Sequence, residues 1–455
     1  MNPEARLAMG DDRIVSFWRP NSVRGFAPAL PEETLLLTIS RWINGAFRRI
    51  ARATLIVVLA GACASSAAAA TAAAPAHAIR HVFIIVLENE GFEQSFGPGS
   101  PAPYLARALT RQGVLLSHYY ATGHDSLDNY LAMISGQGAT PETRNDCEVF
   151  ADFAQTGVTA DGQAIGRGCV YPVSVKTLAD QLVANGFSWR AYLEDMGNDP
   201  NRESATCGHP PVNAKDPTQS AQAPSVAVPL GDQYAARHNP FVYFHSIIDS
   251  PACATSVVNL GALAADLAAE QTTPNLVFIA PNLCNDGHDS PCVDGQPGGL
   301  VSADRFLQQW VPAILASPAY QKDGLLIVTF DEGDVREAKT ASGAREFIYA
   351  GQSCCGQQPG PNLAPFPQSS VEDGVRYTYQ DFGGERVGAV LLSPFLTPGT
   401  ESATPFNHYS LLRTLEDVFG IGAYLGFAGQ PGLAGFFGCS TCDISAPILL
   451  GPGAH

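Results

Sequence analysis

The chain has 455 residues, of which 43 are acidic and 26 are basic, so its formal net charge at pH 7 is −17. Nucleic acids and anionic membrane surfaces are negatively charged as well, so this charge balance argues against both as primary partners. An anionic substrate would need local positive charge to overcome the field of the chain, and a bound metal ion is the natural source of it.

Residues 1–78 are predicted to be a targeting segment. Arginines precede the apolar run 55–60, and residues 76–78 match the small-x-small pattern of a signal-peptidase site. We therefore expect an exported protein, periplasmic or secreted, in which residues 79–455 form one domain. Lipoprotein anchoring at Cys63 is a lesser alternative. The apolar run is too short for a transmembrane span, and no other stretch reaches the roughly 20 apolar residues that a span needs.

The ten cysteines other than Cys63 form an even set in a chain expected to be exported, which favours disulfide bonds. Connectivity cannot be deduced from sequence, but three pairs are close enough to close small loops or tie down one insertion: Cys284 with Cys292, Cys439 with Cys442, and Cys147 with Cys169. Zinc binding by Cys439 and Cys442 is the competing interpretation, although no second pair of ligands accompanies them.

Short apolar strands alternate with helical patterns, which is typical of an α/β fold. We expect a three-layer sandwich whose central sheet is largely parallel and covered on both faces. The predicted strands are 81–87, 187–193, 275–280, 325–330 and 386–392. Predicted helices include 302–315, 408–419 and two segments with apolar spacing, at Leu178 and Leu182 and at Leu260, Leu263 and Leu267. The stretches 195–238 and 351–368 are expected to be ordered surface loops.

Residues 120–136, YATGHDSLDNYLAMISG, carry a serine just ahead of a helical pattern. One apolar face is formed by Leu127, Tyr130, Leu131 and Ile134, and Gly136 is a typical helix-ending residue. Ser126 therefore lies at a helix N-terminus, where free backbone N–H groups favour an alkoxide and an incoming anion. The alternative is that Ser126 only caps the helix.

Polar residues follow three of the predicted strands directly: Glu88-Asn89, Asp331-Glu332 and, after residue 280, the stretch from Asn282 to Asp289. The carboxyl ends of parallel strands meet at one edge of the sheet, where ligands bind. A single acidic residue there is usually a turn former or helix cap. The pairs Glu88-Asn89 and Asp331-Glu332 bring three carboxylates to one edge, where like charges repel each other unless a cation compensates them.

Six ordered motifs resemble those of the bacterial and fungal phosphoesterase family of secreted acid phosphatases and phospholipases C, within the alkaline-phosphatase-like superfamily. They are HVFIIVLENEGFEQSFG, GHDSLDNYLAMISG, FVYFHSI, PNLCNDGHD, LIVTFDEGD and FNHYSLLRTLEDVFG. The resemblance covers residues 81–420 and therefore nearly all of the expected mature chain. It implies an alkaline-phosphatase-like fold and hydrolysis of phosphate esters.

Carried over by position, the resemblance implies that Ser126 is the nucleophile and that a metal ion is held by Glu88, Asn89, Asp331 and Glu332 together with Ser126. Asn129 would lie beside the substrate oxygens, and His288 and His408 would contact the phosphate or the leaving group. An all-oxygen set favours Ca, Mg or Mn, while Zn becomes an option if His288 and His408 are ligands. His124 is either an active-site donor or a turn residue.

The chain departs from the family pattern HPSLPN in having HDSLDN, with Asp125 and Asp128 in place of two prolines. Asp128 would lie in the first helical turn and suits the helix dipole. Asp125 adds negative charge beside the nucleophile, which would weaken affinity for a dianionic phosphate but leaves the role of Ser126 intact.

The expected substrate is a small-molecule or lipid-headgroup phosphate ester. A phosphomonoesterase with an acidic optimum is the first hypothesis, and a phospholipase C-type phosphodiesterase is the second. GHDSLDN also superficially resembles the motif of metal-free GDSL-type esterases, although it does not follow the first strand and no C-terminal Asp-x-x-His accompanies it. A secreted binding protein without turnover is the third class.

The adjacent residues Cys354 and Cys355 are expected to pair with distant cysteines, because a bond between neighbours is hard to form without strain. Such bonds would tie the 351–368 loop down over the edge that follows Asp331-Glu332. The loop would then be a fixed wall of the substrate pocket.

Overall fold

Residues 79–333, 335–349, 351–372 and 374–437 are described by the structure, which is a computed structural model. The expected targeting segment, Cys63, Cys439 and Cys442 lie outside the described residues. The strands are β1 His81–Leu87, β2 Val114–Leu116, β3 Tyr119–Tyr120, β4 Ala154–Val158, β5 Ala164–Arg167, β6 Trp189–Leu193, β7 Val257–Asn259, β8 Leu276–Ala280, β9 Gly324–Phe330, β10 Arg336–Lys339, β11 Arg345–Tyr349, β12 Gln368–Glu372, β13 Val375–Tyr379, β14 Ala389–Leu392, β15 Thr400–Ser402 and β16 Phe406–Asn407.

The central sheet has eight strands in the order β15-β2-β14-β9-β1-β8-β6-β7. Only β14 runs against its neighbours, β9 and β2, and every other pairing is parallel. All residues of β1 and β9 are buried. Since successive side chains of a strand point to opposite faces, the sheet is covered on both sides.

The α-helices are α1 Phe92–Phe96, α2 Thr110–Gln112, α3 Ser126–Ser135, α4 Leu178–Ala184, α5 His245–Ile248, α6 Cys253–Ser256, α7 Leu263–Asp266, α8 Gly299–Ala316, α9 Pro318–Asp323 and α10 His408–Val418. Single 3₁₀ turns occupy Thr143–Asn145, Ala236–His238, Pro240–Tyr243, Leu260–Ala262 and Gly426–Gly429, and Tyr104–Leu109 forms a π-helix.

Two aromatic contacts place helices on opposite faces of the sheet. Phe83 of β1 packs on Tyr320 of α9, with ring centroids 6.3 Å apart. Phe278 of β8 packs on Tyr130 of α3 at 6.2 Å. Phe278 is paired with Ile84, the neighbour of Phe83, so the two phenylalanines point to opposite faces. The three-layer α/β sandwich expected from the sequence is confirmed.

The five predicted strands are present with shifts of at most three residues at their first positions, and the helix around residues 302–315 is longer than expected. A four-stranded sheet of order β10-β11-β13-β12 was not foreseen. Its strands are half-buried or exposed and polar, as in REAK and VRYTY, so they lack the apolar runs that identified the central strands.

Four disulfide bonds join the described cysteines: Cys147–Cys169, Cys207–Cys253, Cys284–Cys292 and Cys354–Cys355. Two of the pairs suggested by sequence spacing are therefore confirmed. The expectation that Cys354 and Cys355 have distant partners is wrong, because they pair with each other.

Hydrogen bonds, not long-range disulfides, hold the 351–368 loop. Gln357 Nε2 donates to the Thr122 carbonyl at 2.6 Å, and Asn362 exchanges hydrogen bonds with Gly166 and Ala164. Among the described residues, no helix is both long and apolar enough to cross a membrane.

Candidate active site

Ser126 is the first residue of α3, and the helix N-cap is Asp125, in extended conformation. The hydroxyl of Ser126 does not cap the helix. It donates to Glu88 Oε2 at 2.8 Å, while the N–H of Leu127 is satisfied by Asp146 Oδ1 at 3.0 Å. The alternative in which Ser126 serves only as a cap is wrong, and its hydroxyl is directed at a carboxylate instead.

The loop before α3 is held by the side chain of Asn129. Its Oδ1 accepts the N–H groups of Thr122 and Gly123 at 2.8 and 2.9 Å, and its Nδ2 donates to the Asp125 carbonyl at 3.0 Å. Asn129 is fully buried. In this structure it positions the backbone that leads to Ser126, and its contact with substrate oxygens stays a prediction.

Glu88, directly after β1, is fully buried and receives two hydroxyl donors. Ser126 Oγ donates to Oε2, and Tyr130 OH donates to Oε1 at 2.6 Å. Nε2 of His238 lies 3.3 Å from the same Oε1. Burial raises the pKa of Glu88 well above its ordinary value, and the nearby Asp331 and Asp286 carboxylates raise it further. Burial lowers the pKa of His238, so its ring is neutral in this contact.

Asn89, Asp331 and Glu332 form one hydrogen-bonded group at the ends of β1 and β9. Asn89 has a left-handed backbone with φ of 49°, a conformation that asparagine tolerates better than most residues. Its N–H donates to Asp331 Oδ1 at 3.0 Å, and its Nδ2 donates to Glu332 Oε1 at 2.6 Å. The N–H of Glu332 also donates to Asp331 Oδ1.

This group fits a hard cation. Within the described residues, three of its buried oxygens have no hydrogen-bond partner: Asn89 Oδ1, Asp331 Oδ2 and Glu332 Oε2. Burial raises the pKa of Asp331 to about 6 and that of Glu332 well above its usual range. Uncompensated buried carboxylates are costly unless they are paired or coordinate a metal, and carboxylate and amide oxygens suit Ca, Mg or Mn.

A second group of possible ligands is not a metal site in this state. Within the described part of the chain, the only three His, Cys, Asp or Glu side chains with ligand atoms within 4.8 Å of one another are Cys284, Cys292 and Asp294. The two cysteines form a disulfide, so they offer no thiolate. The carboxylates of Glu88, Asp331 and Glu332 do not form such a group of three within that distance. Their role as metal ligands, together with Asn89 and Ser126, stays a prediction.

A cavity of about 260 Å³ opens at Ser126. Its positive charge is supplied by Arg237, whose Nε lies 3.5 Å from Asp146 Oδ2. The side chain of His288 also lines the cavity, and burial, together with the charge of Arg237, lowers the pKa of its imidazole. The residues that line it are Asn89, Asp125, Ser126, Asp146, Arg237, His288, Glu332, Val335, Phe347, Tyr349 and Tyr377. No residue of the 351–368 loop lines this cavity, so the expected wall is formed by β11 and β13 instead.

The histidines predicted for the site have different surroundings. His288 lines the cavity, but His408 is fully buried behind it. Nδ1 of His408 meets Tyr119 OH at 2.8 Å and Nε2 meets the carbonyl of Asp331, so both ring nitrogens are engaged by the protein. In this structure His408 fixes the turn after β9, and its contact with phosphate or the leaving group stays a prediction.

His124 lies against aromatic rings, 5.4 Å from the Tyr349 centroid and 6.2 Å from that of Tyr379. Burial and the charge of Arg144 lower the pKa of His124 to about 3. Its Nε2 has no hydrogen-bond partner among the described residues. His124 does not line the cavity, so its surroundings favour the turn residue over the active-site donor.

Of the two aspartates that replace prolines, Asp128 is buried and Asp125 is half-buried. Oδ2 of Asp125 and both oxygens of Asp128 lack hydrogen-bond partners among the described residues. Burial raises the pKa of each, and neighbouring carboxylates, Asp146 foremost, add to this shift while Arg144 opposes it. The protonated forms are favoured, which reduces the extra negative charge that the sequence places beside Ser126.

Three further polar residues of the site were not predicted: Asp146, Arg237 and His238. Asp286 belongs to the polar stretch that follows β8, and it contacts one of them. Asp286 Oδ2 lies 3.7 Å from His238 Nδ1, and its carbonyl accepts the N–H of Glu88. His238 stacks on Tyr130 with ring centroids 5.4 Å apart. The signal available in the sequence was the run Arg-His-Asn-Pro just before the buried segment 241–244.

The model of the Phosphoesterase family matches residues 98–422, and the chain therefore belongs to the Phosphoesterase family. Among curated proteins, it is 29% identical over 250 residues to a phosphate-repressible acid phosphatase of Penicillium chrysogenum, an alignment that covers 55% of this chain and 47% of the relative. It is 23% identical over 341 residues to a phosphatidylinositol-3-phosphatase of Mycobacterium tuberculosis, covering 75% and 77%.

The chain spans about half the length of the fungal acid phosphatases it matches. Among solved structures, it is similar to a protein of the alkaline phosphatase superfamily from Vibrio parahaemolyticus, with a TM-score of 0.41 and 14% identity. That alignment covers 76% of this chain and 68% of the other.

Proposed function

We propose that the chain is a metal-dependent phosphatase that hydrolyses phosphate monoesters through a phosphoserine at Ser126. The observation that carries this proposal is the 2.8 Å hydrogen bond from Ser126 Oγ to Glu88 Oε2, at the mouth of a cavity that also contains Asn89 and Glu332. A serine at a helix N-terminus beside unpartnered oxygens suits in-line attack on phosphorus.

In the first step Ser126 Oγ bonds to phosphorus and the bond from phosphorus to the leaving oxygen breaks. The hydroxyl proton of Ser126 already points to Glu88 Oε2, which would accept it. His288, exposed at the cavity, is the candidate donor of a proton to the leaving oxygen. Water then attacks the phosphorus of the phosphoserine and gives one proton to His288, while the bond from phosphorus to Oγ breaks. Glu88 returns its proton to Ser126 Oγ, and inorganic phosphate leaves.

Phosphoryl transfer depends mainly on positioning and on neutralising the charge of the equatorial oxygens. Arg237 and the N–H groups at the start of α3 can meet these oxygens. A divalent cation held by Glu88, Asn89, Asp331, Glu332 and Ser126 would add positive charge at the serine and at one substrate oxygen. The donor set favours Ca, Mg or Mn. Zn coordination by His288 and His408 is less well supported, because both nitrogens of His408 are engaged.

The names of the relatives support a monoester substrate and an optimum on the acid side of neutrality. Four matching fungal proteins are named acid phosphatases, and the mycobacterial relative is named for a lipid-headgroup phosphate monoester. A phospholipase C-type diesterase is the second hypothesis. A metal-free serine esterase is poorly supported, because the described hydrogen bond of the Ser126 hydroxyl goes to a carboxylate and not to a histidine.

We further propose that residues 1–78 are a targeting segment, that residues 79–455 form one phosphoesterase domain, and that the protein is exported to the periplasm or secreted. The four disulfides support an oxidising compartment.

The test compares three chromogenic substrates before and after EDTA treatment: p-nitrophenyl phosphate, p-nitrophenylphosphorylcholine and p-nitrophenyl acetate. We expect turnover of the monoester that EDTA abolishes and that Mg, Mn or Ca restores. A preference for p-nitrophenylphosphorylcholine would favour the diesterase hypothesis over the monoesterase hypothesis. If hydrolysis of p-nitrophenyl acetate survives EDTA, the metal-free esterase hypothesis would replace both phosphoesterase hypotheses.

A further inference from the structure

Four aromatic rings share one face of the small sheet. Phe347 of β11 is paired with Tyr377 of β13, and Tyr349 is paired with Tyr379. Residues two apart on a strand share a face, so the four rings form a two-by-two array. The ring centroids are 5.6 Å apart in the first pair and 4.5 Å in the second, which is stacked with an interplanar angle of 7°.

The array is divided between a supporting part and a part that faces the nucleophile. Tyr379 lies under the guanidinium of Arg144, at 4.2 Å, and does not line the cavity. The other three rings, of Phe347, Tyr349 and Tyr377, line the cavity at Ser126 and are half-buried. Half-buried rings that face a cavity are available to pack against a ligand.

Resting on the proposed phosphatase activity, we propose that Phe347, Tyr349 and Tyr377 bind the leaving group, and that the favoured substrates are phosphate monoesters of flat aromatic alcohols. The polar residues of the cavity, including Ser126 and Arg237, come from the sheet edge, α3 and the loops beside them. The rings come from the small sheet. Phosphate and leaving group therefore have separate binding elements.

The size and polarity of the cavity favour a small aromatic leaving group over a lipid or a sugar. Its volume of about 260 Å³ lies just below the usual 300–1,000 Å³ of ligand pockets, enough for a phosphate and one ring. Val335 also lines the cavity, so its apolar surface comes from this side chain and the three rings. A sugar would leave several hydroxyl groups against apolar carbon, which costs free energy.

The test measures kcat/KM for phenyl phosphate and glycerol 2-phosphate in the wild type, Tyr377→Leu and Tyr377→Phe. For each variant we take the ratio of kcat/KM for phenyl phosphate to kcat/KM for glycerol 2-phosphate. Comparing this ratio between variants cancels the different reactivities of the two leaving groups. We expect the ratio to fall roughly 3- to 10-fold in Tyr377→Leu and to stay near the wild-type value in Tyr377→Phe, because only the ring face is lost in the first variant.

The matched control is Arg376→Ala, since Arg376 is exposed on the opposite face of β13. It should leave the substrate ratio unchanged. Phe347→Leu provides a second variant should Tyr377→Leu fold poorly, which its thermal midpoint would reveal.

Two results would overturn the inference while the phosphatase proposal survives. The first is an unchanged ratio in Tyr377→Leu and Phe347→Leu, and the second is an equal loss on phenyl phosphate and on glucose 6-phosphate, measured as a third substrate. The last result would indicate sugar stacking. If the wild type hydrolyses none of these monoesters with Mg, Mn or Ca present, the proposed function fails first and the inference fails with it.

Discussion

The edge of the central sheet and the small sheet beside it meet at one cavity but are built differently. At the edge, strands buried on both faces end in carboxylates and amides, as at Glu88 and Asp331. The small sheet is half-exposed and offers aromatic rings, such as Tyr377. The difference suggests a division of work, in which a rigid edge performs the chemistry and a surface sheet selects the leaving group.

The largest effect is expected at the edge, from Ser126→Ala. Without the hydroxyl no phosphoserine forms, so we expect kcat to fall by roughly 10⁴-fold or more. The free energy of unfolding should fall by about 1–3 kcal/mol at most, because the buried Oε2 of Glu88 loses its donor while Oε1 keeps the hydrogen bond from Tyr130. Ser135→Ala, near the other end of α3, is the matched control and should retain turnover. Normal activity in Ser126→Ala would contradict the assignment of the nucleophile.

Asp331→Asn tests the cation at the same edge. Removing one carboxylate charge should reduce kcat by about 10²- to 10³-fold. Mg, Mn or Ca should raise the thermal midpoint of the wild type, because metal binding stabilises the folded protein by about 2.7 kcal/mol when the free metal is 100 times its Kd. Asp331→Asn should lose this rise. Calorimetry with and without metal checks this, with Asp249→Asn, at the exposed residue that follows α5, as control. If metal raises the thermal midpoint of Asp331→Asn as much as that of the wild type, the assignment of Asp331 as a metal ligand is wrong.

Most of the site residues at the sheet edge could be predicted from sequence, because they directly follow the apolar strands, which are the clearest structural pattern in the chain. Strands buried on both faces are unbroken apolar runs, and the first polar residues after them are Glu88-Asn89 and Asp331-Glu332. Ser126 was equally visible, ahead of an amphipathic helix that ends at Gly136, in left-handed conformation with φ of 67°.

The remaining site residues could not be found in this way, since they come from long loops. Arg237 and His238 end a stretch of more than 40 residues without periodicity. The disulfide Cys207–Cys253 anchors this stretch beside β7, and spacing alone did not suggest that pair. His408 was visible in its motif, but its burial behind Asp331 depends on packing that the sequence does not display.

The disulfides give a stability contrast between a long loop and a short one. Replacing Cys207 and Cys253 by serine should lower the free energy of unfolding by about 4 kcal/mol, because their bond closes a loop of 46 residues. The same change at Cys354 and Cys355 should cost much less, since adjacent residues close almost no loop. Chemical denaturation of both double variants tests the order, and a larger loss from the adjacent pair would contradict it.

A pH-dependent effect on stability is expected at Glu416 of α10, a fully buried carboxyl that accepts the Leu425 N–H at 2.8 Å. Burial raises its pKa from 4.5 to about 8. The folded protein therefore holds a proton that the unfolded chain releases, so this contribution to stability is full below pH 4.5 and is lost as the pH rises through 8.

Glu416→Gln should flatten this dependence, because glutamine does not titrate and can still accept the N–H of Leu425. The measurement is the free energy of unfolding of both proteins at several pH values between about 5 and 8. An equally steep fall in both would assign the pH dependence to other buried carboxyls, such as Glu194, whose pKa burial raises to about 7.

The central claim, that Ser126 carries the phosphoryl group during turnover, is tested most directly by acid quenching. The metal-loaded enzyme is mixed with excess phenyl phosphate, stopped in acid within one turnover, digested and analysed by mass spectrometry. We predict that the peptide containing Ser126 gains the mass of one phosphoryl group, and that the same peptide from Ser126→Ala does not. Full turnover of the wild type without this modification, or phosphorylation at another residue, would contradict the account.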